Sequence, residues 1–268
     1  MRSPATPAGT TFSSRTPSVA RIYDHFLGGK DNFASDRDAA GRLTKVVPTI
    51  TGTARANRAF VQRAVRHAAV AGITQFLDLG CGMPRRRNVH EIAAMTIPDA
   101  RTVYVDNDPA VLMHARAILA ADGTAAAVPG DIRTPDALFK DPVLLDWLDV
   151  SRPVVVLLAA VLHHVDDPAG VVTAVRERLA PGSWIVISHA CRDAVSPAAL
   201  DVVKTVYAET GTPITPRPFS EILALFDGLG VVDPGVVEVS QWRPGDGGAH
   251  HGTAQAVGGA GICPGGQS

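Results

Sequence analysis

The middle of the chain alternates short apolar, often β-branched runs with longer stretches whose apolar positions recur at helical spacing. Phe76-Leu77-Asp78-Leu79 is the first predicted strand, followed by strands over residues 102–105, 125–128, 153–158 and 184–187. Strands separated by helix-length segments predict a parallel sheet joined by right-handed helical crossovers. Helix starts are legible at Asp108-Pro109, Thr134-Pro135, Asp167-Pro168 and Ser196-Pro197. Each pair sets a capping oxygen before a proline, whose missing N–H is no loss in the first helical turn. Asn88 and Glu91 stand at capping-box spacing and predict a helix after the first strand. Upstream, Val61, Ala64, Val65 and Ala68 make one apolar helix face that Gly72 is placed to end. Beyond the fifth strand the pattern predicts helices over 197–210 and 220–225, a strand over 236–239, and a last edge strand at Ala256-Val257.

Composition narrows this picture. A chain of 268 residues with 46% hydrophobic content can bury the core of one α/β domain with additions. The net charge of -1 supplies no cationic field, so a small-molecule partner is expected rather than nucleic acid or a membrane. No apolar run approaches the roughly 20 residues that span a bilayer. The three cysteines, Cys81, Cys191 and Cys263, are widely spaced and odd in number, which fits a reducing compartment, and a cytoplasmic location is expected. His250-His251 has no neighbouring ligands at metal spacing, so no metal is expected. The expected organisation is a flexible leader over 1–16, a helical lid over 17–54, a Rossmann-like domain over 55–262 and a flexible tail over 263–268.

Nucleotides bind such sheets beyond the carboxyl ends of the strands. There the first strand runs into Gly80-Cys81-Gly82, a tight turn that allows close backbone approach, with Asp78 offering a carboxylate to a cofactor ammonium. The second strand ends at Asp106, 24 residues beyond Gly82, where an acid can hold two ribose hydroxyls, with Asn107 beside it. Asp108 reads better as a helix cap. After the third strand, Asp131-Ile132 sets a carboxylate where an adenine amino group could donate, although a plain turn acid fits too. Ala159 ends the fourth strand. A nicotinamide dehydrogenase would share several of these features, but its Gly-x-Gly-x-x-Gly turn needs a third glycine where this chain has Arg85.

Asp78 to Gly82, Asp106, Asp131 and the strand-turn from Leu179 to Ile187 resemble the motif series of class I methyltransferases. More specifically, Pro17 to Asp24 and Leu27-Gly28-Gly29-Lys30-Asp31-Asn32-Phe33 resemble the bacterial S-adenosylmethionine methyltransferase family formerly catalogued as a domain of unknown function. The similarity continues through Arg55-Ala56-Asn57-Arg58, Asn88 to Glu91, Tyr104 to Pro109 and Ala160 to His164, and departs at Arg85-Arg86-Arg87 and in the last strand. It implies a mostly parallel seven-stranded Rossmann-like sheet with helices on both faces, S-adenosylmethionine as cofactor, and methyl transfer.

Methyl transfer from a sulfonium needs alignment and removal of water more than it needs a base. Where a hydroxyl or ammonium acceptor must lose a proton, His163 and His164 stand after the fourth strand, though a structural role fits them too. Tyr23, Asp24, Lys30, Asp31 and Asn32 are lid and substrate candidates around a glycine turn that could also simply join two helices. Arg85-Arg86-Arg87 reads as a solvated turn or as a receptor for an acidic acceptor. The expected function is transfer to a small-molecule oxygen or nitrogen. Alternatives are a non-catalytic S-adenosylmethionine-binding module and, further off, a nicotinamide oxidoreductase.

Overall fold

A computed structural model describes residues 13–119, 123–244 and 255–265. Three helices come first: α1 (Val19–Phe26), α2 (Ala34–Val46) and α3 (Ile50–Val70). Alternation then begins with β1 (Gln75–Leu79), α4 (Val89–Ala94), β2 (Arg101–Asp106), α5 (Pro109–Leu119) and β3 (Ala125–Pro129). It continues through α6 (Pro135–Leu138), α7 (Pro142–Trp147), β4 (Val155–Ala159), a 3-10 turn (Leu162–His164), α8 (Pro168–Arg176) and β5 (Trp184–Ala190). The last elements are α9 (Pro197–Ala208), α10 (Phe219–Ala224), β6 (Gly230–Val231), β7 (Val237–Glu238) and β8 (Ala256–Ile262).

The strands are ordered β3-β2-β1-β4-β5-β8-β6, with β7 also paired to β8. β1 to β5 are mutually parallel, and β8 runs antiparallel to β5, β6 and β7. Pleat alternation sends Phe76, Tyr104, Val155 and Leu157 to the face covered by α3, α4 and α5. Leu77, Leu79, Val103, Val156 and Leu158 go to the opposite face, packed by α6, α7 and α8. A third apolar cluster joins Ile22, Phe26 and Leu43 of α1 and α2 to Ala54 of α3 and to Val203 and Val206 of α9. Ala190, the last residue of β5, packs against this cluster, which sets α1 and α2 beside the carboxyl end of the sheet.

The proline-marked helix starts at Asp108, Asp167 and Ser196 all cap, through bonds from the backbone N–H of Ala110, Gly170 and Ala199. Thr134 precedes a helix without capping it; its hydroxyl donates to the Asp131 carbonyl instead. Asp141-Pro142 is a fifth such start, which the sequence reading passed over, and Asp141 accepts from Val143 and Leu144 N–H. Gly72, at φ +90°, closes α3 as expected.

The sheet differs from expectation at its carboxyl-terminal side. Among the described residues it has eight strands, not seven, because β6 (Gly230–Val231) is additional, while the strand expected over 236–239 is the two-residue β7; the two pair with opposite ends of β8. β8 is an interior strand of seven residues and not a short edge strand. Its glycines are dictated by crowding: a Cβ on Gly258 would stand 2.7 Å from the Ile187 carbonyl oxygen, and one on Gly261 would stand 2.7 Å from Leu229. The lid boundary expected between residues 54 and 55 falls inside the continuous helix α3. Cys263, expected to open a flexible tail, is buried and exchanges backbone bonds with Gly182 and Ser183. Within the expected leader, residues 13 and 16 accept bonds from Arg21, while residues 1–12 lie outside the described set, as do His250 and His251.

Candidate active site

The turn after β1 is set by steric limits. Gly80 (φ +75°) leaves no room for a side chain, since a Cβ there would meet Val161 at 2.6 Å. Gly82 (φ +64°) faces open space, with nothing within 4 Å of its Cβ position. Backbone N–H groups of Gly80 and Cys81 both donate to the Val105 carbonyl, tying the turn to β2. Asp106 braces the same turn, accepting from Gly82 N–H and from Asp108 N–H at 2.9 Å each. Burial pushes its carboxyl up to about 6.

Asp78, at the end of β1, is buried, and no hydrogen bond reaches its carboxylate among the described residues. Burial pushes it up to about 7, with Arg58 opposing and Asp106 reinforcing the shift. A small cavity beside the turn is lined by Arg58, Asp78, Cys81, Gly82, Asn88 and Tyr104. Burial also pushes the Cys81 thiol up, which makes it a poor nucleophile. Asn107 is exposed, and the Asp131 carboxylate is gripped by the Arg133 guanidinium and held below its usual range. Ile132 is buried beside it. Ala159 ends β4, and Ala160 after it adopts φ +56°, an uncommon conformation that swings the chain back toward Gly80 through Val161.

The lid candidates divide. The Tyr23 hydroxyl donates to the Ala54 carbonyl (3.1 Å) and accepts from the Asn57 side-chain amide (2.9 Å). Asp24 is a hub: one carboxylate oxygen pairs with Arg85 at 2.6 Å, and the other accepts from Asp31 N–H (3.1 Å) and the Asn32 amide (3.0 Å). Gly29 presses on this hub, since a Cβ there would overlap the Asp24 carboxylate at 1.9 Å. Lys30 and Asp31 are exposed. Arg85 also donates to the Leu27 carbonyl, so its guanidinium is committed to the α1 turn although part of the side chain meets solvent, whereas Arg86 and Arg87 are exposed. With Ser18 donating to Asp108 at 2.9 Å, the segment of α1 and α2 is fastened to the turn after β1 and to the head of α5.

The two histidines also differ. His163 is buried, and its Nδ1 accepts from Ala190 N–H at 3.2 Å, so the proton resides on Nε2 and the ring has no free basic nitrogen. Burial, then His164, His189 and Arg217, keep it neutral. His164 donates Nδ1–H to the Pro213 carbonyl at 2.9 Å, which leaves Nε2 as a lone-pair acceptor. Its ring lies 5.5 Å from that of Tyr207 on α9. The frame behind them is Arg217, which donates to the Leu162, Val165 and Asp166 carbonyls and to His189 Nε2. Arg58, Asn57, Ala160, Tyr207 and Arg217 were not recognised from sequence. Asn57, Arg58 and Ala160 lie in segments that carry the family resemblance, Arg55 to Arg58 and Ala160 to His164, but no role is assigned to them there.

A five-stranded parallel sheet continued by an antiparallel strand, a two-glycine turn after β1 and an acid ending β2 together define an S-adenosylmethionine-dependent methyltransferase. The profile described as S-adenosyl methyltransferase matches residues 5–264, and the chain belongs to that family. A candidate methyltransferase from Thermobifida fusca YX, solved by crystallography, is 38% identical over 93% of this chain and 96% of its own, with a TM-score of 0.87. A DUF574 family protein from Streptomyces avermitilis MA-4680 is 36% identical over 94% and 99%, with a TM-score of 0.88. An O-methyltransferase family protein from Burkholderia thailandensis, 15% identical over 84% of this chain and 63% of its own at a TM-score of 0.51, shares the fold alone. No functionally curated protein matches the chain. Among the described residues, no helix is long and apolar enough to cross a membrane.

The cofactor of this family fits the residues present. The open face of Gly82 and the Asp78 carboxylate, which accepts no hydrogen bond among the described residues, would offer space and a counter-charge to the cationic end of S-adenosylmethionine. Arg85 in place of a third glycine agrees with a ligand that has no pyrophosphate to seat, and family membership displaces the nicotinamide alternative.

Proposed function

We propose that the protein transfers the methyl group to an oxygen or nitrogen of a small-molecule acceptor bound between the carboxyl ends of β4 and β5 and the lid. S-adenosylmethionine supplies an activated methyl carbon and a neutral thioether leaving group. In this reading the Asp78 carboxylate receives the ammonium, Asp106 gives up its bonds to Gly82 and Asp108 in part to hold the ribose hydroxyls, and Asp131 with Asn107 and Ile132 borders the adenine. The Gly80–Gly82 backbone sets the depth of the site, Ala159 its floor, and α1 with α2 keeps water out.

The observation that carries the reaction is the orientation of His164. Its Nδ1–H is anchored to the Pro213 carbonyl, so Nε2 can take the proton that a hydroxyl or ammonium acceptor must lose as the new bond forms. His163, with its lone pair committed to Ala190 N–H, supports the turn instead. Tyr207 of α9 borders this point, its ring 5.5 Å from that of His164. The enclosed setting and the net charge of -1 favour a small acceptor over nucleic acid.

The test is release of S-adenosylhomocysteine on incubation with panels of small phenols, alcohols and amines, run beside tRNA and protein fractions. Turnover with a small hydroxyl or amine supports the reading. Tight binding of the cofactor with no turnover on any panel would favour a non-catalytic cofactor-binding module.

A further inference from the structure

We infer that Arg58 is the receptor for the cofactor's carboxylate, acting opposite Asp78 on the two charges of one amino-acid group. Arg58 and Asp78 line the same cavity with Gly82, Asn88 and Tyr104, yet no ion pair joins them among the described residues. A cation and an anion that face one space without an ion pair between them each lack a charged partner, and a zwitterion supplies one to both at once. A ligand carrying either charge alone would meet only one.

Arg58 is held in place for this task. Its Nη2 donates to the Arg87 carbonyl at 3.0 Å and to the Asn88 side-chain oxygen at 3.3 Å, both in the loop that follows Gly82. Its Nη1 and Nε have no hydrogen-bond partner among the described residues, so one edge of the guanidinium fork remains to donate to a carboxylate. Of the arginines in that loop, Arg85 is committed to Asp24, Arg86 and Arg87 are exposed, and Arg58 is the arginine that lines the cavity. The long helix α3 supports the position, because Phe60 and Val61 bury its inner face and leave Arg58 on the flank toward the β1 turn. This inference rests on the assignment of the ammonium to Asp78 and is independent of the acceptor.

Calorimetric titration of the full chain with S-adenosylhomocysteine and with 5′-methylthioadenosine, which lacks the amino-acid group, separates the two ends of the cofactor. Arg58→Gln and Arg58→Ala should weaken S-adenosylhomocysteine binding by roughly 10- to 100-fold, the range expected for lost charge-assisted hydrogen bonds. Binding of 5′-methylthioadenosine should stay within about twofold, and Arg58→Lys should recover part of the loss. Asp78→Asn should show the same selectivity. Equal losses for both ligands would mark Arg58 as a structural brace and overturn the inference, as would unchanged S-adenosylhomocysteine affinity in a folded variant. If Arg58→Ala does not fold, Arg58→Gln, which keeps much of the stem, carries the comparison. Failure of methyl transfer with intact selectivity would count against the acceptor reading and leave this one standing.

Discussion

Replacing Arg85 by methionine removes a charge from the junction between lid and cofactor turn while keeping much of the side-chain stem. The Asp24 carboxylate it pairs with at 2.6 Å is almost wholly buried, at 1% side-chain exposure, whereas Arg85 is 26% exposed. Removing one partner of a buried ion pair costs about 3–5 kcal/mol, because the remaining charge stays buried without its counter-ion. Two features reduce that cost here. Asp24 keeps its bonds from Asp31 N–H and the Asn32 amide, and the exposed side of Arg85 has already lost part of its pairing energy to solvent. A loss of about 2 kcal/mol is therefore expected in urea unfolding, with the greater effect in local opening of the lid. Hydrogen exchange should rise over residues 19–33 and 80–88, since Arg85 also holds the Leu27 carbonyl. Asp24→Asn in the same chain should restore part of the stability, because the neutral amide no longer needs a cation. Stability within about 0.5 kcal/mol of the parent, with unchanged exchange in both segments, would refute the latch.

Three further outcomes follow from the same geometry. Asp78 and Asp106 sit at about 7 and about 6, above the unfolded value of about 3.9, so their stabilising contribution is full below pH ~4 and is lost as pH rises through 6 to 7. A bound ammonium needs Asp78 ionised, which Arg58 favours and burial and Asp106 oppose, with Cys81 and Tyr104 the other titratable groups lining the space, so S-adenosylhomocysteine affinity should climb between pH 5.5 and 8. Asp78→Asn should flatten that profile, and calorimetry showing a flat parent profile would remove Asp78 from the role. Gly258→Ala should cost about 1–3 kcal/mol in unfolding experiments, because its Cβ meets the Ile187 oxygen at 2.7 Å and Phe60 at 3.1 Å; a neutral change would show that β8 can shift. His164→Gln should lower kcat about 100-fold on a hydroxyl or amine acceptor with cofactor affinity unchanged, whereas His163→Gln should act chiefly on stability. Equal kinetic losses from both would dismiss the distinction.

The strands, the crossover helices and most of their starts were legible in the chain because their signals are local. β1 to β5 announce themselves by apolar runs, Asp108, Asp167 and Ser196 by the proline that follows, and Gly80 and Gly82 by standing just after a strand. Asp78 and Asp106 could be picked out for the same reason: strand ends are where a parallel sheet presents its chemistry. What the residues could not reveal was each case in which the partner lies far along the chain. Arg85 reads as solvated until it meets Asp24, 61 residues earlier. β8 reads as a weak edge because its glycines lack the side chains that mark a strand, and the need for small residues arises only from Ile187, Phe60 and Leu229 pressing on them. His163 and His164 are equivalent in sequence. Their difference comes from an N–H donor at Ala190 and a carbonyl acceptor at Pro213, and only the tertiary structure brings either to the ring. Periodicity and turn chemistry, which are properties of neighbours, determined the scaffold. The pairing of charges and the direction of hydrogen bonds, which depend on residues far apart in sequence, were decided by the fold.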